Sequence, residues 1–370
     1  MALLFLSLWF GSHAYLVWRI AALPWVAGRV PRWALVVAAV FLALSYLIAR
    51  IVERFRPGAF AAGLEWIGAT WMGLFLLALT CLLAVDLATG FGRFAPESAP
   101  ALRAGALGVA LLLAVLATLQ ARRPPRVVEH EVRLAGLPAA ADGTVIVFLS
   151  DLHVGNLLGA RWLAARVEQV AALAPDLIAV GGDVLEGHGP RHEELIPVLS
   201  RLAAPLGVWA VTGNHEVYRG LDESVARLEA AGMELLRDRW VEVRPGLVLA
   251  GVDDLTVRRG THPDGEAVAR SLAGRPPGGV VLLSHSPLHL ERAAREGAGL
   301  VLSGHTHAGQ IWPFGALVRL SYPTLAGRYE IAGATVLVSR GTGTWGPRMR
   351  LWRRSEILRV TLRSAPDPVG

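Results

Sequence analysis

The chain contains no lysine: all 36 of its basic residues are arginine. Together with abundant alanine, this is a composition bias before it is a binding signature. The formal net charge of +6 therefore does not by itself point to nucleic acid. No arginine block with interleaved aromatics, of the kind that tracks a phosphate backbone, is present. Cysteine is nearly absent too. Cys81 stands alone inside an apolar run, which excludes disulfides within the chain and thiolate-rich zinc sites. There is no HExxH segment, so a zinc peptidase built on that helix is excluded. No internal repeat and no long low-complexity tract occurs.

What the chain has in excess is apolar residues. They make up 53% of its 370 residues, and the mean hydropathy is +0.45, too high for an ordinary soluble enzyme. The excess sits mostly in the first 120 residues. Four apolar stretches appear there, Ala2–Leu23, Trp33–Ile51, Leu64–Ala88 and Ala101–Leu119. Each is close to the roughly 20 residues that a bilayer-spanning helix needs. Prolines and arginines fill the breaks, and Trp9, Trp18, Trp25, Trp33, Trp66 and Trp71 lie near the edges, as in a headgroup belt. The first stretch lacks a basic leader and three more follow it, so it does not read as a secretory signal. The expectation is an all-α membrane domain of four transmembrane helices over residues 1–121, in a multi-pass integral membrane protein. Four spans place both ends on one side. The arginine bias (Arg50, Arg54, Arg56, Arg122, Arg123 and Arg126 against Arg19, Arg29, Arg32, Arg93 and Arg103) favours a cytoplasmic C-terminal half. His13 and Asp86 are ionisable groups in or near spans and so functional candidates, with Asp86 near a helix end where water can reach it.

Residues 122–126 form a basic, Pro-rich linker. From Val127 to residue 370 the pattern is that of an α/β domain. Val127–Leu134 alternates like a half-exposed strand, and Thr144–Ser150 is a short β-branched run like a buried one. Arg161–Ala174 has helical spacing. Strand, helix, strand and helix follow, the last with Asp222 as a candidate N-cap. Past Met233 strands become more frequent, at Glu234–Leu236, Trp240–Arg244, Leu247–Val252, Val280–Ser284, Leu300–Ser303, Thr335–Ser339 and Glu356–Leu362. Alternation followed by a strand-rich half predicts a layered α/β domain with two sheets.

Chemistry gathers where these strands end. LSDLHVGN carries Asp151 and His153. VGGDVLEG carries Asp183, VTGNHEVY carries Asn214 and His215, and LLSHSPLH carries His285. VLSGHTHAGQ carries His305 and His307. In open α/β sheets, ligands bind at that edge. Gly182, Gly213 and Gly304 let the backbone turn sharply and approach an ion. The donors are oxygen and nitrogen, without sulfur, which suits divalent ions with mixed carboxylate and imidazole ligation. Two such ions about 3.5–4 Å apart form the clamp used for in-line displacement at phosphorus. Asp253 and Asp254 follow a strand and read equally as orienters of the histidines or as turn-forming acids. His188, His192, His262 and His289 read as surface or structural residues, and His130 as exposed.

Asp151-x-His153, Gly182-Asp183, Gly213-Asn214-His215-Glu216, Ser284-His285 and Gly304-His305-Thr306-His307 resemble the five blocks of the calcineurin-like metallophosphoesterase family. SDLHVG, GHTHAGQ and VSRGTGTWGPRMRL narrow the similarity to membrane-attached YaeI/YkuE-type phosphodiesterases and transmembrane proteins carrying this domain. Ala308 departs from the glycine common in that subgroup. The resemblance covers about Val127–Arg363 and implies a four-layer α-β-β-α sandwich. It further implies that Asp151, His153 and His307 bind one metal ion, and that Asn214, His285 and His305 bind a second. Asp183 would bridge the two, and His215 would contact a phosphate oxygen or protonate the leaving group. The cofactors implied are two divalent ions, Mn2+, Zn2+, Fe or Mg2+. The reaction implied is hydrolysis of a phosphodiester or pyrophosphate by a metal-bridging hydroxide, on a substrate that tethering suggests is lipid or lipid-linked, such as a UDP-sugar lipid. Arg340, Arg348 and Arg350 around GTGTWGP are candidates for holding a second phosphate, and Trp312, Pro313 and Phe314 for an apolar lip. The alternative is a membrane transporter or sensor whose phosphoesterase module is regulatory or inactive. Retention of all the donors speaks against it.

Overall fold

The computed structural model describes residues 2–187, 191–257 and 265–365; His188 and His262 therefore lie outside the described residues. Four helices open the chain: α1 (Ala2–Ala21), α2 (Arg32–Phe55), α3 (Ala59–Ala88) and α4 (Ala99–Arg122). They match the four apolar stretches. Among the described residues, α2, α3 and α4 are long and apolar enough to cross a membrane. Both ionisable groups singled out in this unit have partners. Asp86 is fully buried, contrary to the expectation that water reaches it. Arg19 Nε lies 2.6 Å and Arg103 Nε 2.8 Å from its carboxylate, and the Tyr15 hydroxyl donates to it at 2.5 Å. His13 is buried as well; its Nε2 accepts the Trp71 indole N–H at 3.0 Å and its ring stacks on Phe75 at 3.9 Å.

Arg123, Pro124 and Pro125 connect α4 to the first of twelve strands among the described residues. These are β1 (Arg126–Leu134), β2 (Val145–Leu149), β3 (Leu177–Val180), β4 (Val208–Ala210), β5 (Glu234–Leu235), β6 (Arg239–Arg244), β7 (Leu247–Val252), β8 (Gly279–Ser284), β9 (Leu300–Ser303), β10 (Gly327–Ile331), β11 (Ala334–Val338) and β12 (Glu356–Ser364). They form two six-stranded sheets, ordered β1-β12-β2-β3-β4-β5 and β10-β11-β9-β8-β7-β6. β2 through β5 run parallel, as do β7, β8, β9 and β11. Successive side chains leave opposite faces, and the core divides accordingly. Ile146, Phe148, Leu177, Leu249, Leu283 and Leu302 meet between the sheets. Val147 and Ile178 turn outward against Leu163, Val167, Leu195 and Leu228 of the flanking helices. Val248 and Leu282 do the same against Val268, Leu272 and Ala293. The fold is thus the expected four layers, α-β-β-α.

The structure departs from the sequence reading elsewhere in the chain as well. Asp222 is not an N-cap: helix Leu221–Ala230 starts after Gly220, and Asp222 sits in its first turn. Asn214–Arg219 is a short helix and β10 a strand, neither of which periodicity reveals. His192 is buried, not on the surface. It bonds to the Glu186 carbonyl at 3.0 Å and contacts Arg219. The stretch from 127 to the end is also not one uninterrupted unit, because Gly346–Trp352 groups with the helices, where the Arg350 amide donates to the Ala117 carbonyl at 2.9 Å.

Candidate metal centre

The parallel strands of both sheets end at the expected donors. Past β2, the Asp151 amide donates to the Gly182 carbonyl and the His153 amide to the Asp183 carbonyl, each at 3.0 Å. The turns after β2 and β3 are therefore laced together. Asp151, His153, Asp183, His305 and His307 all have φ between 46° and 68°, a region that side chains enter at a cost of roughly 1–3 kcal/mol each and that clusters at functional sites. Only one of the three glycines works as a turn residue: Gly182 has φ +86°. Gly213 is extended, and a Cβ there would strike the Asp183 carboxylate; one at Gly304 would strike Ser150 and Asp151. Those two glycines serve close approach.

The donors fall into clusters. Asp151, His153 and His307 offer ligand atoms within 4.8 Å of one another, as do Asp183, His285 and His305. Asn214 Oδ1 joins the second cluster, 3.0 Å from His305 Nδ1. Asp183 Oδ2 links the two, 3.2 Å from His285 Nε2 and 3.7 Å from His153 Nε2. All seven expected donors are brought together. Their protons fit a cation. His285 Nδ1–H is committed to the Gly181 carbonyl at 2.6 Å, and His153 Nδ1–H to Glu186 at 2.9 Å. The Nε2 lone pairs of both rings then face the Asp183 carboxylate. His153 Nε2 also faces His307 Nε2 at 3.1 Å, and His285 Nε2 faces His305 Nδ1 at 3.2 Å. Lone pairs converging on a carboxylate repel unless a positive charge lies between them. Burial opposes charge on His285, but the Asp183 carboxylate outweighs it and raises the pKa well above the usual imidazole value. Burial likewise opposes charge on Asp183, and the surrounding histidines hold its pKa well below the usual carboxylate range. Metal and protons compete for such sites.

Three residues carry roles that the sequence reading missed. Glu186 Oε2 accepts from both His153 Nδ1 and His215 Nδ1, at 2.9 and 2.8 Å. Burial would lower the His215 pKa; Asp183 and Glu186 override it and push it up to about 9. An acid three residues after Asp183 was the available signal. Glu216, within a quoted motif but without a role, is fully buried and accepts the amides of Asp183, Val184 and Gly213 at 2.8, 2.9 and 2.8 Å. Burial and the neighbouring Asp183 charge raise its pKa. Tyr322 places its hydroxyl 2.9 Å from His305 Nε2, with no spacing pattern to announce it.

Of the two acids, Asp254 is a turn-forming one, accepting the Thr256 and Val257 amides, whereas Asp253 is held by other partners. Asp253 binds Thr212 and Arg237; Asp254 holds Ser286 and the Thr256 turn. The GTGTWGP loop meets the centre through its backbone. The Thr342 and Gly343 amides donate to the Ser150 and Asp151 carbonyls at 2.8 and 2.9 Å, and the Trp345 ring lies 6.0 Å from that of His215. The three arginines around the loop differ in their surroundings. Arg340 leans on Glu356, which accepts its amide at 3.0 Å. Arg348 and Arg350 fall in the segment that groups with the helices, and Arg350 is fully buried, which removes it as a contact for substrate arriving from solvent. Trp312, Phe314, Leu317 and Leu320, just beyond the histidine pair, are all exposed.

Residues 144–309 match the family model described as calcineurin-like phosphoesterase. The zebrafish protein named transmembrane protein with metallophosphoesterase domain is 33% identical over 316 residues, covering 80% of this chain and 72% of that protein. The bovine protein of the same name is 35% identical over 283 residues, covering 70% of this chain and 62% of the relative. An uncharacterized metallophosphoesterase of Aquifex aeolicus is 35% identical over 247 residues, covering 64% of this chain and 92% of that protein.

Proposed function

Because the chain belongs to the calcineurin-like metallophosphoesterase family and is a phosphoester hydrolase, we propose that it is a bilayer-anchored, two-metal enzyme cleaving phosphodiester or pyrophosphate bonds. The observation that carries this reading is one carboxylate, Asp183, within 3.7 Å of histidines from both donor clusters. A carboxylate can serve two cations at once, whereas a neutral imidazole serves one. Two divalent ions held there would supply Lewis acidity toward a phosphoryl oxygen and activate water near neutral pH.

The remaining steps fall to the chain. Asp151, His153 and His307 hold one ion, and Asn214, His285 and His305 the other. His215 is 15% exposed at its side chain, against none for His285, so it can meet a substrate from solvent. Glu186 anchors its Nδ1, which leaves Nε2 as the nitrogen to hydrogen-bond a phosphoryl oxygen or to pass a proton to the leaving group. The apolar surface of Trp312, Phe314, Leu317 and Leu320 beside the centre supports an amphiphilic, lipid-linked substrate, as does anchorage by helices of bilayer-spanning length.

The test is hydrolysis of bis-p-nitrophenyl phosphate by the detergent-solubilised full-length protein loaded with Mn2+. The full chain is needed because Gly346–Trp352 packs with the helices, and a 127–370 fragment would strip that segment of its partners. Asp183→Asn and His215→Ala should each abolish most of the turnover. A folded, metal-loaded protein that hydrolyses no phosphoester sinks the proposal; wild-type rates in either variant sink the assignment of roles.

A further inference from the structure

The helical unit holds a cavity of about 530 Å³ between α1 and α2. The faces that line it are unusual for helices that fail to close. Ala14, Val17 and Ala21 of α1 oppose Val36, Ala39 and Ala43 of α2, at the spacing of one face on each helix. Inside a bilayer, small facing residues normally let helices approach closely. Here they line a gap instead. The deep end is fastened by the Trp9 indole, which donates to the Ala43 carbonyl at 3.3 Å, and by the buried His13. The α1 lining runs from Phe10 to Ala21, about 17 Å of helix at 1.5 Å per residue. The cavity volume spread over that length gives a section of roughly 30 Å², room for one hydrocarbon chain.

The other end is positive. Arg32, in the first turn of α2, lines the cavity there together with Trp18. The Arg19 guanidinium lies over the Trp18 ring at 3.7 Å. Arg19 and Arg103, which are not part of the lining, share one carboxylate, Asp86. A half-open apolar groove with an arginine at one end only is complementary to an amphiphile with an anionic head.

We propose that α1 and α2 bind one chain of an anionic phospholipid, its tail in this cavity and its phosphate at the Arg32 end. The proposal rests on the helices spanning a bilayer and is independent of the hydrolytic reading.

Native mass spectrometry of the delipidated full-length protein tests it, with phosphatidylglycerol and phosphatidylcholine of the same chain length as probes and EDTA present to silence hydrolysis. The wild type should retain phosphatidylglycerol in preference to phosphatidylcholine. Arg32→Gln, at an exposed position, should cut that preference roughly fivefold, the effect of one arginine at an anionic headgroup. Ala39→Leu should reduce uptake of both lipids by filling the channel. Equal retention of the two lipids by the wild type, an unchanged preference in Arg32→Gln, or unchanged uptake in Ala39→Leu would each overturn the proposal. Protein that stays dispersed without detergent would instead overturn the bilayer premise.

Discussion

Glu186→Gln separates charge from shape at the centre. One oxygen of Glu186 accepts from two histidines, His153 at 2.9 Å and His215 at 2.8 Å, in a residue only 8% exposed. Glutamine keeps the size and an acceptor oxygen but removes the negative charge. Hydrogen bonds to charged groups contribute about 1.5–3 kcal/mol and neutral ones about 0.5–1.5, so each bond should weaken by about 1 kcal/mol. Two bonds amount to about 2 kcal/mol, or roughly a 30-fold loss in kcat/KM if both histidines act in the transition state. The direct ligands are untouched, so the metal content at saturating Mn2+ should stay that of the wild type. The assay is steady-state hydrolysis of bis-p-nitrophenyl phosphate alongside metal analysis by plasma mass spectrometry. Activity within about twofold of wild type at equal metal content would show that neither bond matters to turnover. A loss of activity that simply follows lost metal would place Glu186 in retention of the ion and not in the orientation of His215.

Two further substitutions probe the two clusters separately. Gly304→Ala should drive a methyl group into Ser150 and the Asp151 carboxylate, costing about 1–3 kcal/mol of stability as overpacking and lowering metal content by the ion proposed at Asp151, His153 and His307; an unchanged melting temperature with full metal content would refute the close-approach role. Tyr322→Phe removes the partner of His305 Nε2 and should weaken the ion at Asn214, His285 and His305 about tenfold, read by chelator competition, while leaving the other ion in place.

The edges of the sheets were legible because strand and ligand speak different alphabets. β2, β3, β8 and β9 are short apolar runs, fully or almost fully buried, and each stops at a polar or glycine-rich segment. A run of β-branched residues that ends in Asp or His therefore marks both the strand and the site. Glu186 and Tyr322 were not legible for opposite reasons. Glu186 sits within a motif, but an acid in a loop is ordinarily solvated, and only burial reveals that two imidazoles need it. Tyr322 lies at the end of helix Gly315–Ser321, where nothing in the local pattern distinguishes it from any half-buried tyrosine. The grouping of Gly346–Trp352 with the helices was hidden because a glycine- and arginine-rich loop looks the same whether it meets water or a protein surface.

The pair of histidines at 305 and 307 shows most directly what side-chain spacing leaves undetermined. Two residues apart in sequence, they reach different clusters, whereas Asp151 and His153, equally spaced, reach the same one. The nitrogen used makes the difference. His307 presents Nε2 to the first cluster, 3.1 Å from His153. His305 presents Nδ1 to the second, because Tyr322 occupies its Nε2. Nδ1 lies near the main chain and Nε2 at the far side of the ring, so rings two residues apart deliver donors at different depths and in different directions. Left-handed backbone at both residues fixes where each ring starts. The hydrogen bond on the opposite nitrogen fixes which lone pair is offered. One turn can therefore serve two ions, and the choice between them lies with a tyrosine that the histidine motif does not contain.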